Sequence, residues 1–182
     1  NKDFTIVLLC HPDIPENIIK ELELLYEKYD LKYHFFYVER IFKMGDKSLG
    51  KFFKGKGRII TSRLDTDDMY PIYYIDLIKK TVKANKWDGV TCIDFKQLIY
   101  TNHKEVRLFN YPSTSMFLSI CSENPEINAL SQQHTHVIKV IKNLKMIWIK
   151  DKIGGKIVVH GKNQLNKMRG VITKMSFKGI FK

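Results

Sequence analysis

The chain has 182 residues, of which 44% are hydrophobic and 27% charged, so it is not a wholly disordered protein and is long enough to bury one core. No run of 18 uncharged apolar residues occurs, and the sequence therefore predicts no membrane-spanning helix. The three cysteines are widely spaced and form no CxxC pair, which indicates buried thiols in a reducing compartment and a cytoplasmic location.

The formal net charge of +12 is concentrated toward the C-terminus. Residues 139–182 hold twelve Lys or Arg residues and one acid, Asp151. Such a segment favours an anionic partner: a diphosphate, an acidic membrane surface or a nucleic acid. Lys outnumbers Arg by 26 to 5 and no nucleic-acid-binding motif is present, which argues against nucleic acid. A peripheral contact of this segment with an anionic membrane is one prediction, and a lysine-rich solvated surface is the alternative, which is favoured for most of these lysines.

Predicted strands and helices alternate in the first half of the chain. The apolar run at 4–10 predicts a strand buried on both faces, and Pro15 and Glu16 suit the start of a helix. The later predicted elements are a strand at 33–38, a short helix at 46–53, a strand at 58–62, a helix from Pro71, strands at 89–95, 98–100 and 107–109, an apolar stretch at 115–120, an ambiguous segment at 136–141, and strands at 146–149 and 157–159. This order predicts an α/β fold with a mostly parallel, mixed sheet flanked by helices.

The most informative segment is IITSRLDTDDMY at 59–70, where a predicted strand runs directly into three carboxylates, Asp65, Asp67 and Asp68. Ligands of open α/β sheets bind outside the carboxyl ends of the strands. Carboxylates this close repel one another unless a cation is present, and a hard cation such as Mg²⁺ or Mn²⁺ prefers oxygen ligands. Asp65 and Asp67 project the same way from an extended backbone and can share one ion. A solvated acidic turn, with Asp68 capping the next helix, is the alternative.

TSRLDTDDMY resembles the DxD loop of nucleotide-sugar glycosyltransferases with the GT-A fold, and more narrowly the (T/S)-x-R-L-D-x-D-D signature of a rhamnosyltransferase family. SMFLSICSE at 115–123 resembles a later stretch of that family. MIWI at 146–149, HGKN at 160–163 and the pair Arg169-Gly170 resemble its closing pattern. The similarity implies a Rossmann-like GT-A fold and a metal-dependent enzyme of polysaccharide biosynthesis. Such an enzyme transfers a sugar, here suggested to be rhamnose, from a nucleotide-sugar donor to a glycan acceptor with inversion.

The resemblance also implies how the chain is organised. Residues 1–182 would form a single glycosyltransferase domain, with a nucleotide- and metal-binding half at 1–95, an acceptor-side half at 96–170 and a basic tail at 171–182. The run at 4–10 matches the second strand of the family. The fold is therefore expected to lack its first, base-binding strand, which would lie upstream of Asn1.

The same resemblance assigns the metal site, which would hold Mn²⁺ or Mg²⁺. Asp67 would be a direct ligand, Asp65 would bind the metal or the ribose of the nucleotide, and Asp68 would orient the loop. His160 would complete the coordination sphere, because a neutral imidazole is a good ligand for Mn²⁺.

Three further residues would contact the nucleotide. Lys162 and Asn163 of the HGKN segment would approach the diphosphate. Arg63 has two possible roles of equal weight: it could pair with a phosphate, or it could hold an aspartate in a structural ion pair.

Inversion also requires a carboxylate that takes the proton from the acceptor hydroxyl. Glu123 is the first choice, because it follows an apolar stretch and matches a glutamate of the family. Asp94 is the second choice, because it closes a predicted strand and could face the site.

Two functions of other classes remain compatible with the sequence. The chain could be a degenerate or truncated GT-A domain that binds nucleotide or glycan without turnover. It could also be a basic adaptor that uses its C-terminal lysines on nucleic acid or on a membrane surface.

Overall fold

The computed structural model describes residues 4–38, 50, 52–53, 55, 57–102, 104–130, 136–160, 168–174, 177 and 179–181. These belong to two units, residues 1–45 and residues 46–182. The division does not coincide with the boundary predicted at 95/96, because a single strand runs through that point. The helix predicted at 46–53 lies largely outside the described residues.

The first unit is a β–α–β segment. It consists of β1 (Thr5–Cys10), α1 (Glu16–Lys28) and β2 (Lys32–Tyr37), and the two strands pair in parallel. Pro15 immediately precedes α1, as predicted from its fixed φ. In β1 only Cys10 is buried, which differs from the predicted burial on both faces. Among the described residues of this unit α1 is the one helix, and a single helix can cover one face of a sheet but not both.

The second unit contains a six-stranded sheet. Its elements are β3 (Ile59–Ser62), α2 (Tyr74–Ala84), β4 (Val90–Thr101), β5 (Val106–Asn110), β6 (Ser119–Ser122), α3 (Val137–Val140), β7 (Leu144–Val158) and β8 (Val171–Ile172). The strand order is β3-β6-β4-β5-β8, and β7 pairs with β4. The predicted pairing of 98–100 with 107–109 is confirmed in the β4–β5 register.

The α/β class with a mixed sheet is confirmed, but the prediction of a mostly parallel sheet is wrong. Among the strands of the described residues, only β1–β2 and β4–β7 are parallel pairs, whereas β3–β6, β6–β4, β4–β5 and β5–β8 are antiparallel. β3, β4 and β7 do share one direction, because the reversed strand β6 lies between β3 and β4. The short connection from β4 to β5 is a hairpin, and short connections give antiparallel neighbours.

β7 combines two segments that the sequence predicts as separate strands, 146–149 and 157–159. Its register with β4 shifts between Ile149, paired with Phe95, and Gly155, paired with Leu98. Residues 150–152 stand opposite a single residue of β4 and form a bulge, and Gly154 is a further extra residue between Ile153, paired with Gln97, and Gly155. The sequence Lys-Asp-Lys at 150–152 interrupts the apolar pattern that would indicate one long strand.

β4 is buried on both faces and forms the centre of the core. Ile93 and Phe95 pack against α2 through its buried residues Tyr74 and Ile78. On the opposite face, Cys92 packs with residues from β6, from the chain just before and after that strand, and from α3: Leu118, Ile120, Ala129 and Val137. A third cluster near the carboxyl end of β4 contains Leu98, Tyr100, Phe117 and Ile157.

The three cysteines are free and buried, as predicted. Among the described residues, no helix has both the length and the apolar character needed to cross a bilayer.

Two glycines of β7 allow aromatic rings to lie against its backbone. A Cβ at Gly155 would lie 2.4 Å from the Phe117 ring, and one at Gly154 would lie 2.3 Å from the Cβ of Phe95. We predict that Gly155→Ala lowers the free energy of unfolding by roughly 1–3 kcal/mol through overpacking, measured by urea denaturation. Gly50→Ala is the control, because its Cβ would meet neighbours at 3.6 Å or more. Equal stability of the two variants would contradict this packing argument.

Candidate functional site

The acidic loop, residues 63–68, leaves the carboxyl end of β3 and is joined to β7. Immediately after it, Met69 forms an antiparallel bridge with Lys156, with backbone hydrogen bonds of 3.0 and 2.9 Å. The loop therefore lies beside the last residues of β7. Its position at the carboxyl end of β3 is the one that the sequence predicts for a ligand site.

Asp68 fixes the acidic loop to the end of β7. It is buried, and its Oδ1 accepts a hydrogen bond of 3.2 Å from the backbone N–H of Val158. Its Oδ2 is also buried and has no hydrogen-bond partner among the described residues. Burial, together with the charges of Asp67 and Asp65, raises the pKa of Asp68 to about 7, although the Val158 N–H and Arg63 act to lower the pKa. These contacts match the role of orienting the loop.

His160 lies beside Asp67, as predicted. Its Nε2 is 3.0 Å from the Asp67 Oδ2, although 93 residues separate the two in sequence. The end of β7 positions the imidazole, since Val159 donates a 2.7 Å hydrogen bond to the carbonyl of Thr101. Both side chains are partly exposed, at 46% for His160 and 35% for Asp67, so a ligand can reach them from solvent. Lys162 and Asn163 lie outside the described residues.

Arg63 is paired with Asp65. Its Nε and Nη2 lie 3.1 and 3.0 Å from Oδ1 of that carboxylate. The backbone carbonyl of Arg63 accepts a hydrogen bond of 2.5 Å from the hydroxyl of Tyr70. Two roles were predicted for Arg63, and this ion pair is the geometry expected for the second, in which Arg63 holds an aspartate in place.

Asp67 and His160 fit one edge of a metal coordination sphere. Two neighbouring ligands of an octahedral ion with bonds of about 2.1 Å lie about 3.0 Å apart, which is the distance between these side-chain atoms. Within the described part of the chain, no group of three or more His, Cys, Asp or Glu side chains gathers as a metal site. Mg²⁺ typically uses one or two carboxylates and takes its other ligands from water and substrate phosphates. A two-residue edge therefore fits a metal shared with a diphosphate.

The topology places Glu123, the first choice for the catalytic base, away from the acidic loop. β6 runs antiparallel to β3, so that Ser119 pairs with Ser62 and Ser122 pairs with Ile59. Glu123 consequently follows the edge at the amino end of β3, whereas the acidic loop leaves its carboxyl end. The strand alone separates the two edges by about 10 Å. Glu123 is exposed at this amino-end edge, and its role as the base stays a prediction.

Asp94, the second choice, is fully buried and holds a neighbouring segment in place. Its Oδ2 accepts the backbone N–H of Ser115, and its Oδ1 accepts the Ser115 hydroxyl, both at 2.6 Å. The Phe95 N–H also donates to Oδ1 at 2.7 Å. A base must reach a substrate hydroxyl, and this carboxylate has no exposed surface. Its contacts assign it a structural role.

Tyr70 and Tyr74 form a support for the loop that the sequence argument missed. Their rings stack with centroids 3.8 Å apart, and the Tyr74 hydroxyl donates to the Phe117 carbonyl at 2.5 Å. Burial raises the pKa of Tyr70 well above its ordinary value. The signal available in sequence was two tyrosines four residues apart directly after the acidic loop, a spacing that also suits an ordinary apolar helix face.

In comparisons with known proteins, no family model, no curated protein and no solved structure matches this chain.

The burial of Asp94 predicts a pH-dependent stability. Burial raises the pKa of Asp94 to about 6, whereas an exposed aspartate titrates near 3.9, so the folded state binds this proton more tightly than the unfolded state. The resulting stabilisation is complete below about pH 4 and is lost as the pH rises through about 6. Because asparagine does not titrate, the unfolding free energy of the wild type should fall relative to that of Asp94→Asn by up to about 3 kcal/mol between pH 4 and 6.5. Parallel profiles in urea denaturation would contradict this account.

The Asp67–His160 pair predicts a site for Mn²⁺ that is measurable without substrate. We expect Asp67→Asn and His160→Ala each to weaken Mn²⁺ binding at least about tenfold, since even outer-shell changes have effects of this size. Titration calorimetry or the electron paramagnetic resonance signal of free Mn²⁺ gives the affinity. His11→Ala is the matched control, because His11 also lies beside an aspartate, with Nδ1 3.5 Å from Asp13 Oδ2, and is exposed. Equal losses in the control and in His160→Ala would reject the site.

Proposed function

We propose that this chain is a metal-dependent glycosyltransferase domain of the GT-A type, which uses a nucleotide-sugar donor and a glycan acceptor. The observation that carries the proposal is the 3.0 Å contact between Asp67 of the acidic loop and His160 from the end of β7. A solvated acidic turn needs no histidine from 93 residues away. A site for a metal–diphosphate does, because it needs ligands from separate segments that converge on one point.

The sheet supports the proposed fold type. β3, β4 and β7 run in one direction, and the acidic loop occupies the carboxyl end of β3, where α/β sheets bind ligands. The resemblance of TSRLDTDDMY and HGKN to rhamnosyltransferases suggests rhamnose as the sugar and inversion as the outcome. We include rhamnose as the sugar and inversion as the outcome in this proposal.

The chemistry proposed for these residues is binding and charge placement. When bound, Mn²⁺ or Mg²⁺ neutralises the diphosphate and makes it a better leaving group. Asp67 and His160 would hold the ion, while Arg63 keeps the Asp65 carboxylate oriented beside it. Asp68 holds the acidic loop against the end of β7, because its carboxylate accepts the Val158 N–H.

A second candidate function is supported by the positions of Glu123 and Asp94. One lies at the opposite edge of β3 and the other is buried, so neither is placed to take a proton from an acceptor. A domain that binds a nucleotide sugar without transferring it is compatible with this arrangement. The two candidates share donor binding and differ in turnover.

Donor binding is predicted to depend on the metal and on Asp67. Calorimetry with a panel of nucleoside diphosphates and nucleotide sugars should detect binding with Mn²⁺, and EDTA should abolish it. Asp67→Asn should weaken it at least about tenfold, because the shared ion loses a ligand. Asp88→Asn is the control: this exposed aspartate precedes the amino end of β4, far from the acidic loop. Nucleotide binding that is unchanged by EDTA and by Asp67→Asn would reject both candidates.

Turnover separates the two candidates once binding is established. Nuclear magnetic resonance of the donor in the presence of glycan acceptors reports consumption of the sugar and the anomeric configuration of the product. Transfer with inversion supports the enzyme, whereas metal-dependent binding without sugar release over many hours supports the binding module.

A further inference from the structure

Three segments of the second unit meet on one apolar cluster near the carboxyl ends of β4 and β7. The buried members of this cluster are Leu98, Tyr100, Phe117 and Ile157. Tyr70, Val159 and Met168 are partly buried and pack against it. Tyr70 follows the acidic loop, and Val159 directly precedes His160. Because Met168 directly precedes Arg169, the cluster gathers Arg169 with the two segments that form the candidate site.

The backbone next to Arg169 is fixed against β5. Val171 pairs with Leu108 in an antiparallel register. Gly170 has a φ of +91°, and a Cβ at this position would lie 2.2 Å from the carbonyl oxygen of Leu108. Arg169 itself is exposed. The chain therefore presents an accessible guanidinium from a backbone whose position is set by the sheet.

Arg169 and a residue of the acidic loop act on the same hydroxyl group. Burial raises the pKa of Tyr100 to about 12, and Tyr111 and Asp68 also act to raise the pKa, whereas Arg169 acts to lower it. Coulomb interactions weaken with distance, so a hydroxyl that responds to both charges has both in its neighbourhood. This agrees with the packing of Met168 and places the guanidinium near the acidic loop.

Arg169 differs from the other arginines of the described chain in having no partner there. Arg58 donates to two backbone carbonyls, and Arg63 and Arg107 each pair with a nearby carboxylate. Within the residues that the structure describes, neither a hydrogen bond nor an ion pair engages the side chain of Arg169. A guanidinium with free donors can hold a phosphate through two parallel N–H···O contacts, a geometry that lysine does not provide.

We propose that Arg169 binds the diphosphate of the donor at oxygens that the metal ion leaves free. The inference rests on the proposed function, because it takes the metal–diphosphate to lie at Asp67 and His160. A diphosphate has more oxygens than one metal ion binds, and a second cation neutralises those that remain. When the bond between sugar and diphosphate breaks, its electron pair stays on a phosphate oxygen, and a fixed guanidinium stabilises that developing charge.

Calorimetry with the full chain at saturating Mn²⁺ tests this role. The probe is the nucleoside diphosphate that the wild type binds most tightly. Arg169→Gln should weaken its binding roughly 10- to 100-fold, the range for a charge-assisted contact to a phosphate. Arg169→Lys should lose less, because it keeps the charge without the paired donors.

The affinity for Mn²⁺ without nucleotide distinguishes phosphate binding from a structural role. In Arg169→Gln this affinity should stay equal or increase, because a nearby cation that repels the metal ion has been removed. A lower Mn²⁺ affinity would show that Arg169 supports the metal site or the fold, and would overturn the inference.

Lys142→Gln is the matched control for the loss of one positive charge. Lys142 is exposed and precedes the amino end of β7, whereas His160 follows its carboxyl end. This variant should bind the diphosphate as the wild type does. Equal losses in Lys142→Gln and Arg169→Gln would show a response to net charge alone and would overturn the inference.

The same titrations separate this inference from the proposed function. Metal-dependent diphosphate binding that Asp67→Asn weakens and Arg169→Gln retains in full would overturn the role of Arg169 and leave the proposed function standing. A wild type that binds no diphosphate in the presence of Mn²⁺ would overturn both.

Discussion

The candidate site depends on the attachment of the acidic loop to the last residues of β7. The contact between Asp67 and His160 cannot provide this attachment, because an exposed ion pair contributes only about 0–1 kcal/mol. The attachment comes instead from the backbone bridge between Met69 and Lys156 and from the hydrogen bond that Val158 donates to buried Asp68. Tyr70 adds a hydrogen bond to the carbonyl of Arg63 and stacks on the first residue of α2. Buried contacts therefore set the geometry, and the exposed groups are left available for ligand.

The parts of the fold and of the candidate site that could be predicted from the sequence are those that a short, continuous stretch of residues determines. The strand before Asp65, the acidic loop and the approach of His160 could be predicted, because a strand end and a short motif carry them. The position of Glu123 could not, because it depends on the direction of β6. Four residues of the type Ser-Ile-Cys-Ser carry no sign of strand direction, which is decided by pairing with the distant strands β3 and β4. β7 was predicted as two strands because the bulge at 150–152 replaces apolar alternation with charge. Asp94 does lie next to Ile93, which is level with Ser62 at the carboxyl end of β3. Its burial could not be predicted, because burial depends on the strands and helices that pack around β4.

The three carboxylates of the loop are each compensated in a different way, which explains how they coexist before any ligand binds. Arg63 pairs with Asp65, His160 lies beside Asp67, and Asp68 is buried with a pKa raised to about 7. Arg63 is the first residue of the loop itself, whereas His160 follows the end of β7. A cation that entered between Asp65 and Asp67 would therefore meet carboxylates already held apart by separate partners. This arrangement lowers the entropy that must be lost on binding, which is the general advantage of a preorganised site.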